Sequence, residues 1–342
     1  MRATAVAVLA AAAAVAAAPS AGAPPSAAAD HAKTRAGTPA KTPKPRARKP
    51  KPPAIPALPT SCFQFGVYRH DPVRGVPALQ RTLGVGITTV STYVTTGKAL
   101  DPALVALARQ KRLRLLVSWM PDDGRGTPTQ PRFTLARIAR GVLDADLRAL
   151  AREMKDAGVP ILFRPMPEPN TPWYAWSGLA NGNTPAGYVA AWKRVRRIVK
   201  PLAGKRVQLL WSPYYRSVPD TEANALGLYF PGPAMVDAVG ASGYNFGTVG
   251  DLAWTDPRPL FSAAYRDIQA LAAKPFWISE TGSTATGGDK AAWVSGLTAL
   301  KAEMPNLRGV VWFDVTDPTG DFRLTGAALP AAKALFRGRC IA

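Results

Sequence analysis

Short apolar runs of strand length alternate with segments of helical period along this chain, and the alternation recurs eight times between Phe63 and Phe336. The runs are Phe63–Arg69, Thr88–Val94, Leu113–Met120, Pro160–Pro165, Val207–Pro213, Val236–Tyr244, Pro275–Ser279 and Val310–Val315. Helical candidates fall between them. Asp101-Pro102 opens one, with the aspartate as N-cap and proline in the first turn. Ala136–Ala157 has Ile138, Val142, Leu143, Leu147, Leu150 and Met154 at three- and four-residue spacing and ends at Gly158, which predicts a single helix. Others are expected over 186–200, 259–273, 288–303 and 326–336, with less regular stretches at 77–84 and 219–230. Eight strand-helix units in about 280 residues have the size and rhythm of a (β/α)8 TIM barrel. Strands such as Val207-Gln208-Leu209-Leu210-Trp211 do not alternate strictly, as expected for parallel strands buried on both faces. A doubly wound open sheet is the alternative, but it usually has fewer strands, and no glycine-rich phosphate loop follows the first strand. The expected fold class is therefore α/β, a (β/α)8 barrel forming one domain over 61–342.

What precedes the barrel has a different composition. Residues 1–23 begin Met1-Arg2, pass through alanine and valine from Ala3 to Ala18 and reach Ala21-Gly22-Ala23. That is the charged start, short apolar stretch and small-residue cleavage site of a secretory signal peptide. A membrane anchor needs about 20 strongly apolar residues. This run is mostly alanine and closes on proline, so no transmembrane segment is expected. Residues 24–60 are rich in proline and alanine and carry Lys33, Arg35, Lys41, Lys44, Arg46, Arg48, Lys49 and Lys51, with no acid after Asp30. Such a segment reads as an extended basic linker. It is a solvated spacer or a means of holding anionic cell-envelope polymer. It interleaves no aromatics with its cations, which argues against nucleic acid as a partner. The expected localisation is extracellular, with or without attachment to the cell wall, and the barrel is expected to act as a monomer.

The two cysteines, Cys62 and Cys340, stand at the ends of the barrel segment. In an exported chain an even pair reads as a disulfide, two separate thiols being the alternative. A closed ring would make the first strand and last helix neighbours, so the two could meet. His31 and His70 are the only histidines. A zinc site or a Ser-His-Asp triad is thereby nearly excluded, and neither metal nor organic cofactor is expected.

Chemistry in such barrels sits at the carboxyl ends of the strands. Glu168 follows the fourth predicted strand and Glu280 ends the seventh. A carboxylate where an apolar strand meets its loop costs free energy to place unless something requires it there. The same rim collects Tyr68 and His70 after strand one, Trp119 and Asp122 after strand three, Trp211 and Tyr214 after strand five, Tyr244 and Asn245 after strand six, and Trp312 and Asp314 in strand eight. Paired carboxylates are the machinery of glycoside hydrolysis, in which one protonates the leaving oxygen and the other meets the positive charge at the sugar carbon. Glu168, between Pro167 and Pro169 and close to Trp173, Tyr174 and Trp176, has the apolar setting that keeps a proton on and is assigned the general acid. Glu280, with Arg164 and Tyr244 as expected neighbours, has the setting of an ionised nucleophile. The alternatives are an ion pair between Glu168 and Arg164, and tryptophans that only fill the core. Indoles beside carboxylates favour a carbohydrate cleft, because sugar rings have apolar faces that stack on them.

With these residues in place the segment 63–336 resembles glycoside hydrolase family 26, best known for endo-β-1,4-mannanases. The similarity rests on Arg164-Pro165-Met166-Pro167-Glu168-Pro169-Asn170 followed by Trp173-Tyr174-Ala175-Trp176, and on Asn183-Thr184-Pro185 with Tyr188 and Ala191-Trp192. It extends to Trp211-Ser212-Pro213, Tyr229-Phe230-Pro231-Gly232, Gly243-Tyr244-Asn245, Ile278-Ser279-Glu280-Thr281-Gly282 and Trp312-Phe313-Asp314. The resemblance implies a retaining hydrolase of β-linked polysaccharide, with Glu168 as acid/base and Glu280 as nucleophile. It implies that Arg164 and Tyr244 orient the nucleophile and that Trp173 and Trp312 are sugar platforms. Asn170, Trp119 and His70 complete the expected substrate-binding set. The family's usual histidine before the acid/base is Pro167 here, and proline offers no donor in its place. Mixed-linkage glucan or xylan therefore stand beside mannan as expected substrates, and a non-catalytic glycan-binding protein is the rival from another class.

Overall fold

The structure, a computed structural model, describes residues 63–249 and 252–336. The expected signal peptide and basic linker lie outside the described residues, as do Cys62 and Cys340 and hence their expected disulfide. Eight parallel strands form a closed barrel in sequence order. They are β1 (Gln64–Tyr68), β2 (Thr89–Thr95), β3 (Arg114–Met120), β4 (Ile161–Pro165), β5 (Val207–Trp211), β6 (Ala238–Asn245), β7 (Phe276–Ser283) and β8 (Leu307–Phe313). Closure is made by β1 against β8, with Gln64 opposite Gly309 and Tyr68 opposite Phe313. The open-sheet alternative is thereby set aside.

The helices are α1 (Pro72–Leu83), α2 (Pro102–Lys111), α3 (Leu135–Ala139), α4 (Asp144–Asp156), α5 (Pro185–Ala203), α6 (Pro257–Leu271), α7 (Lys290–Glu303) and α8 (Ala328–Leu335). α2 begins as expected, with Asp101 accepting a first-turn amide hydrogen, and Asp71, Thr184 and Asp289 do the same for α1, α5 and α7. The stretch 77–84, expected to be irregular, is the second half of α1, which Asp71 starts and Gly84 ends in the left-handed conformation. Between β5 and β6 the chain forms only short 3-10 turns, in keeping with the irregular 219–230.

One predicted helix is two. Ala136–Ala157 breaks at Gly141, whose φ is +94°, a conformation that favours glycine. A methyl group there would meet the Arg194 guanidinium at 2.6 Å. The break gives Arg194 on α5 its path to Asp144, which it grips together with Arg148. Apolar spacing carries no signal for such a contact, so the period runs through the break unmarked.

Inside the barrel the side chains form tiers. The amino-terminal end holds Arg114, whose guanidinium donates to Gln64 at 3.2 Å and Gln208 at 3.1 Å. Above it lies an apolar plug of Leu116, Leu162, Leu210, Ala238, Trp277 and Val311. At the carboxyl end the interior becomes polar again, with Ser118, Arg164, Ser212 and Ser279 joined by hydrogen bonds. The larger core lies between barrel and helices and takes the alternate residues of each strand, among them Val117, Trp119, Val310 and Trp312. No helix among the described residues is long and apolar enough to cross a membrane.

Candidate active site

The site is built from the ends of β4, β6 and β7. Arg164 on β4 points into the barrel and is fully buried. Its Nε donates to Ser118 at 2.8 Å, its Nη1 to Ser279 at 3.3 Å, and its Nη2 to Glu280. Burial works against the guanidinium charge, but Glu280 more than restores it and holds the group above its ordinary value. Tyr244 on β6 donates its hydroxyl to the other oxygen of Glu280. Both oxygens of Glu280 are thus held by donors from two strands, which fixes the carboxylate against rotation. β7 carries on past the predicted end at Ser279, and Glu280 sits where its register with β6 and β8 shifts. A bulge of this kind re-aims one side chain, here the glutamate, into the barrel mouth. The expected alternative, Arg164 paired with Glu168, is not what forms: the close partner is Glu280.

Glu168 is also 3% exposed, and it stands on a turn where Met166 and Glu168 both have positive φ, +49° and +53°. Non-glycine residues adopt this conformation only where surrounding contacts impose it, often at functional sites. The contacts are on hand. Glu168 N–H donates to the Ser212 carbonyl at 2.9 Å, the Tyr188 hydroxyl to the Met166 carbonyl at 3.0 Å, and Trp176 Nε1 to the Pro167 carbonyl at 2.7 Å. Its carboxyl oxygens accept from Ser242 at 2.5 Å and from Trp173 Nε1 at 3.1 Å. Burial, with the charge of Glu280 adding to it, pushes the Glu168 carboxyl up to about 7, against the opposing pull of Ser242, Arg164 and Trp173. Two glutamates in one cleft therefore have unlike surroundings: one is clamped by a guanidinium and a phenol, the other is buried among rings and held by a hydroxyl and an indole.

Aromatic side chains wall the cleft. Tyr68 stacks on Phe313 at 5.0 Å between ring centroids and meets Tyr93 edge-on, and Trp173 meets Tyr214 edge-on at 5.4 Å. His70 is exposed at the mouth, with Nδ1 3.4 Å from the Tyr68 hydroxyl. Burial first, then the charge of Glu280, pushes the Tyr68 hydroxyl up to about 12. No group of three or more His, Cys, Asp or Glu side chains among the described residues could hold a metal ion.

Three expected substrate contacts are corrected. Trp119 is 1% exposed and Trp312 is 0% exposed, so neither offers a face to a sugar. Their neighbours Ser118 and Phe313 turn into the barrel, and strand alternation sends the indoles to the helix side. There Trp312 donates to the Phe322 carbonyl at 2.7 Å and packs edge-on against Trp293. Asn170 is likewise 0% exposed, and its amide is engaged by the next loop: it accepts from Tyr214 N–H at 2.9 Å and donates to the Tyr214 carbonyl at 3.0 Å. It is a brace between the β4 and β5 loops. Conversely, Ser118 and Ser242 escaped the reading of the sequence, and Ser212 and Ser279 entered it only as members of motifs, with no role assigned. The available signal was a lone hydroxyl inside an otherwise apolar strand, as in Leu115-Leu116-Val117-Ser118.

Residues 136–256 match the family model described as glycosyl hydrolase family 26, a stretch that takes in Arg164, Glu168 and Tyr244. Endoglucanase H of Acetivibrio thermocellus is 30% identical over 228 residues, 65% of this chain and 24% of that protein. Over residues 136–256 the chain is similar to glycosyl hydrolase family 26. A mannan endo-1,4-beta-mannosidase of Bacillus subtilis is 28% identical over 192 residues, 54% of this chain and 46% of that protein. The chain thus spans less than half the length of either curated relative. Among solved structures, a GH26 beta-mannanase from Bacteroides ovatus superposes with a TM-score of 0.59 at 18% identity, covering 82% of this chain and 89% of that one. That likeness shows that the two share the barrel fold.

Proposed function

We propose that this protein is a secreted, retaining β-glycanase that hydrolyses β-1,4-mannan-type polysaccharide by double displacement. The observation that carries the reading is the unequal pair: Glu280 clamped by Arg164 and Tyr244, and Glu168 buried with its carboxyl raised to about 7. A general acid needs a proton near neutral pH, and a nucleophile needs a fixed lone pair aimed at the anomeric carbon. In the first step a Glu280 oxygen bonds to the anomeric carbon as the glycosidic C–O bond breaks, and Glu168 gives its proton to the departing oxygen. In the second step Glu168 takes a proton from water, the water oxygen bonds to the same carbon, and Glu280 leaves. Trp173 holds Glu168 and presents a half-buried indole to the leaving sugar, while Tyr68 and Phe313 wall the other side. Mannan as substrate is supported by the names of the Bacillus subtilis and Bacteroides ovatus proteins.

A second reading changes the glycan and keeps the chemistry. Pro167 places no ring donor before the acid/base, and its carbonyl is taken by Trp176. The Acetivibrio thermocellus relative carries the name endoglucanase. Reducing-sugar release on glucomannan, galactomannan, lichenan, xylan and cellulose tests both. Release confined to mannans supports the first reading, and release from glucan or xylan supports the second. No release from any of them would overturn hydrolysis in favour of a glycan-binding protein.

A further inference from the structure

The two chemical steps use no side chain of β2, yet β2 sends a ring into the site. Tyr93 stands opposite Ser118 in the β2–β3 ladder, and Ser118 stands opposite Arg164 in the β3–β4 ladder. Residues opposite one another in a sheet share a face, so all three turn into the barrel. The Arg164 guanidinium carbon lies 6.0 Å from the Tyr93 ring centroid, within reach of a cation–π contact. Ser118, Ser279 and Glu280 take the hydrogen bonds of that guanidinium, and Tyr93 backs it from the β2 side. The Tyr93 hydroxyl is buried and has no hydrogen-bond partner among the described residues. A buried donor left unpaired costs free energy, so the ring and not the hydroxyl accounts for an aromatic residue here. The ring is held in turn by Tyr68, edge-on at 5.0 Å and itself stacked on Phe313. Burial first, then the charge of Glu280, push the Tyr93 hydroxyl well above the usual phenol range against the pull of Arg164. Tyr93 therefore stays neutral within the field of both partners.

We infer that Tyr93 is a positioning residue whose ring backs the Arg164–Glu280 pair and keeps water off it. This deepens the proposed double displacement and rests on it: Tyr93 acts on the nucleophile through Arg164. A guanidinium is weakly hydrated and stacks on aromatic faces, so a ring beside it suits it better than water does. Water admitted at that face would compete for the Arg164 Nη2 hydrogens and for the Glu280 oxygens, and it would weaken the pair by raising the local dielectric. Glu280 would then spend less time aimed at the anomeric carbon. That loss falls on the chemical step, so it should lower kcat and leave KM in place.

Three variants of the full chain test this by kinetics and by NMR of isotope-labelled arginine. Tyr93→Phe keeps the ring and drops the unpaired hydroxyl, so kcat should stay within about twofold of wild type and Tm should not fall. Tyr93→Leu keeps apolar bulk without a ring, and should lower kcat at least about tenfold with KM within about twofold. Val94→Ala lies on the helix side of β2 and should lower Tm while leaving kcat unchanged, which shows that a weakened strand alone does not produce the split. Solvent exchange of the Arg164 Nε–H should be slow in wild type and in Tyr93→Phe, and at least about tenfold faster in Tyr93→Leu. The exchange measurement needs no glycan. A wild-type chain that releases no sugar would therefore sink the catalytic reading and leave exchange to decide the placing of Tyr93. Unchanged kcat in Tyr93→Leu of an active enzyme, unchanged exchange in that variant, or a loss in Tyr93→Phe as large as in Tyr93→Leu would overturn the proposal.

Discussion

Ser242 on β6 donates to Glu168 Oε1 across 2.5 Å, so a strand that carries neither glutamate sets the environment of the Glu168 carboxyl. A hydrogen bond to the ionised form lowers a carboxyl's pKa, and Ser242 does so here. Ser242→Ala should therefore raise it further. The expected result is a basic limb of the kcat/KM profile displaced upward by about one pH unit. An unmoved limb would show that Ser242 does not touch the titrating form.

Glu168 also links stability to pH. Its carboxyl is raised from 4.5 to about 7, so the folded state binds the proton more tightly than the unfolded chain does. Stability contributed by this group is full below about 4.5 and declines as pH rises towards 7, then stays low. Glu168→Gln should thus raise Tm at pH 8, by an amount equivalent to about 1–3 kcal/mol. The gain should vanish at pH 4, and thermal melts at the two pH values measure it directly.

Loss of each glutamate should have its own kinetic signature. Glu280→Ala is expected to lower kcat by about 10⁴ or more with the barrel intact by circular dichroism. Glu168→Ala should slow substrates with poor leaving groups most, and azide should partly rescue those with good ones. Near-wild-type turnover in the first would overturn the nucleophile assignment, and no azide response in the second would overturn Glu168 as the acid/base.

The tryptophans separate by stability and function. Trp312→Ala removes a fully buried indole and its bond to Phe322, which should cost about 3–5 kcal/mol. Trp173→Ala removes a half-buried one that holds Glu168. It should leave Tm nearly unchanged and lower kcat/KM at least about tenfold. Urea denaturation and steady-state kinetics on the two variants check both.

The eight strands were legible because parallel strands covered on both faces read as unbroken apolar runs. The two glutamates were legible because each interrupts such a run at its carboxyl end. That same continuity hid the parity of the strands. Leu115-Leu116-Val117-Ser118-Trp119-Met120 is apolar at nearly every position. Nothing local says that Ser118 faces Arg164 while Trp119 faces the helices, and only the closed ring decides it. Asn170 was misread for a different reason. An amide suits a sugar hydroxyl and a backbone peptide equally well, and the Tyr214 peptide that claims it lies 44 positions further along the chain.

The apolar plug of Leu116, Leu162, Leu210, Ala238, Trp277 and Val311 separates the serine-lined mouth from the Arg114–Gln64–Gln208 network at the far end. Changes at sites that share no partners add with little coupling. The hydroxyl tier that holds Arg164 and Glu168 can therefore change without disturbing the closure of the ring beneath. This divides the protein into an inherited foundation and a replaceable upper storey.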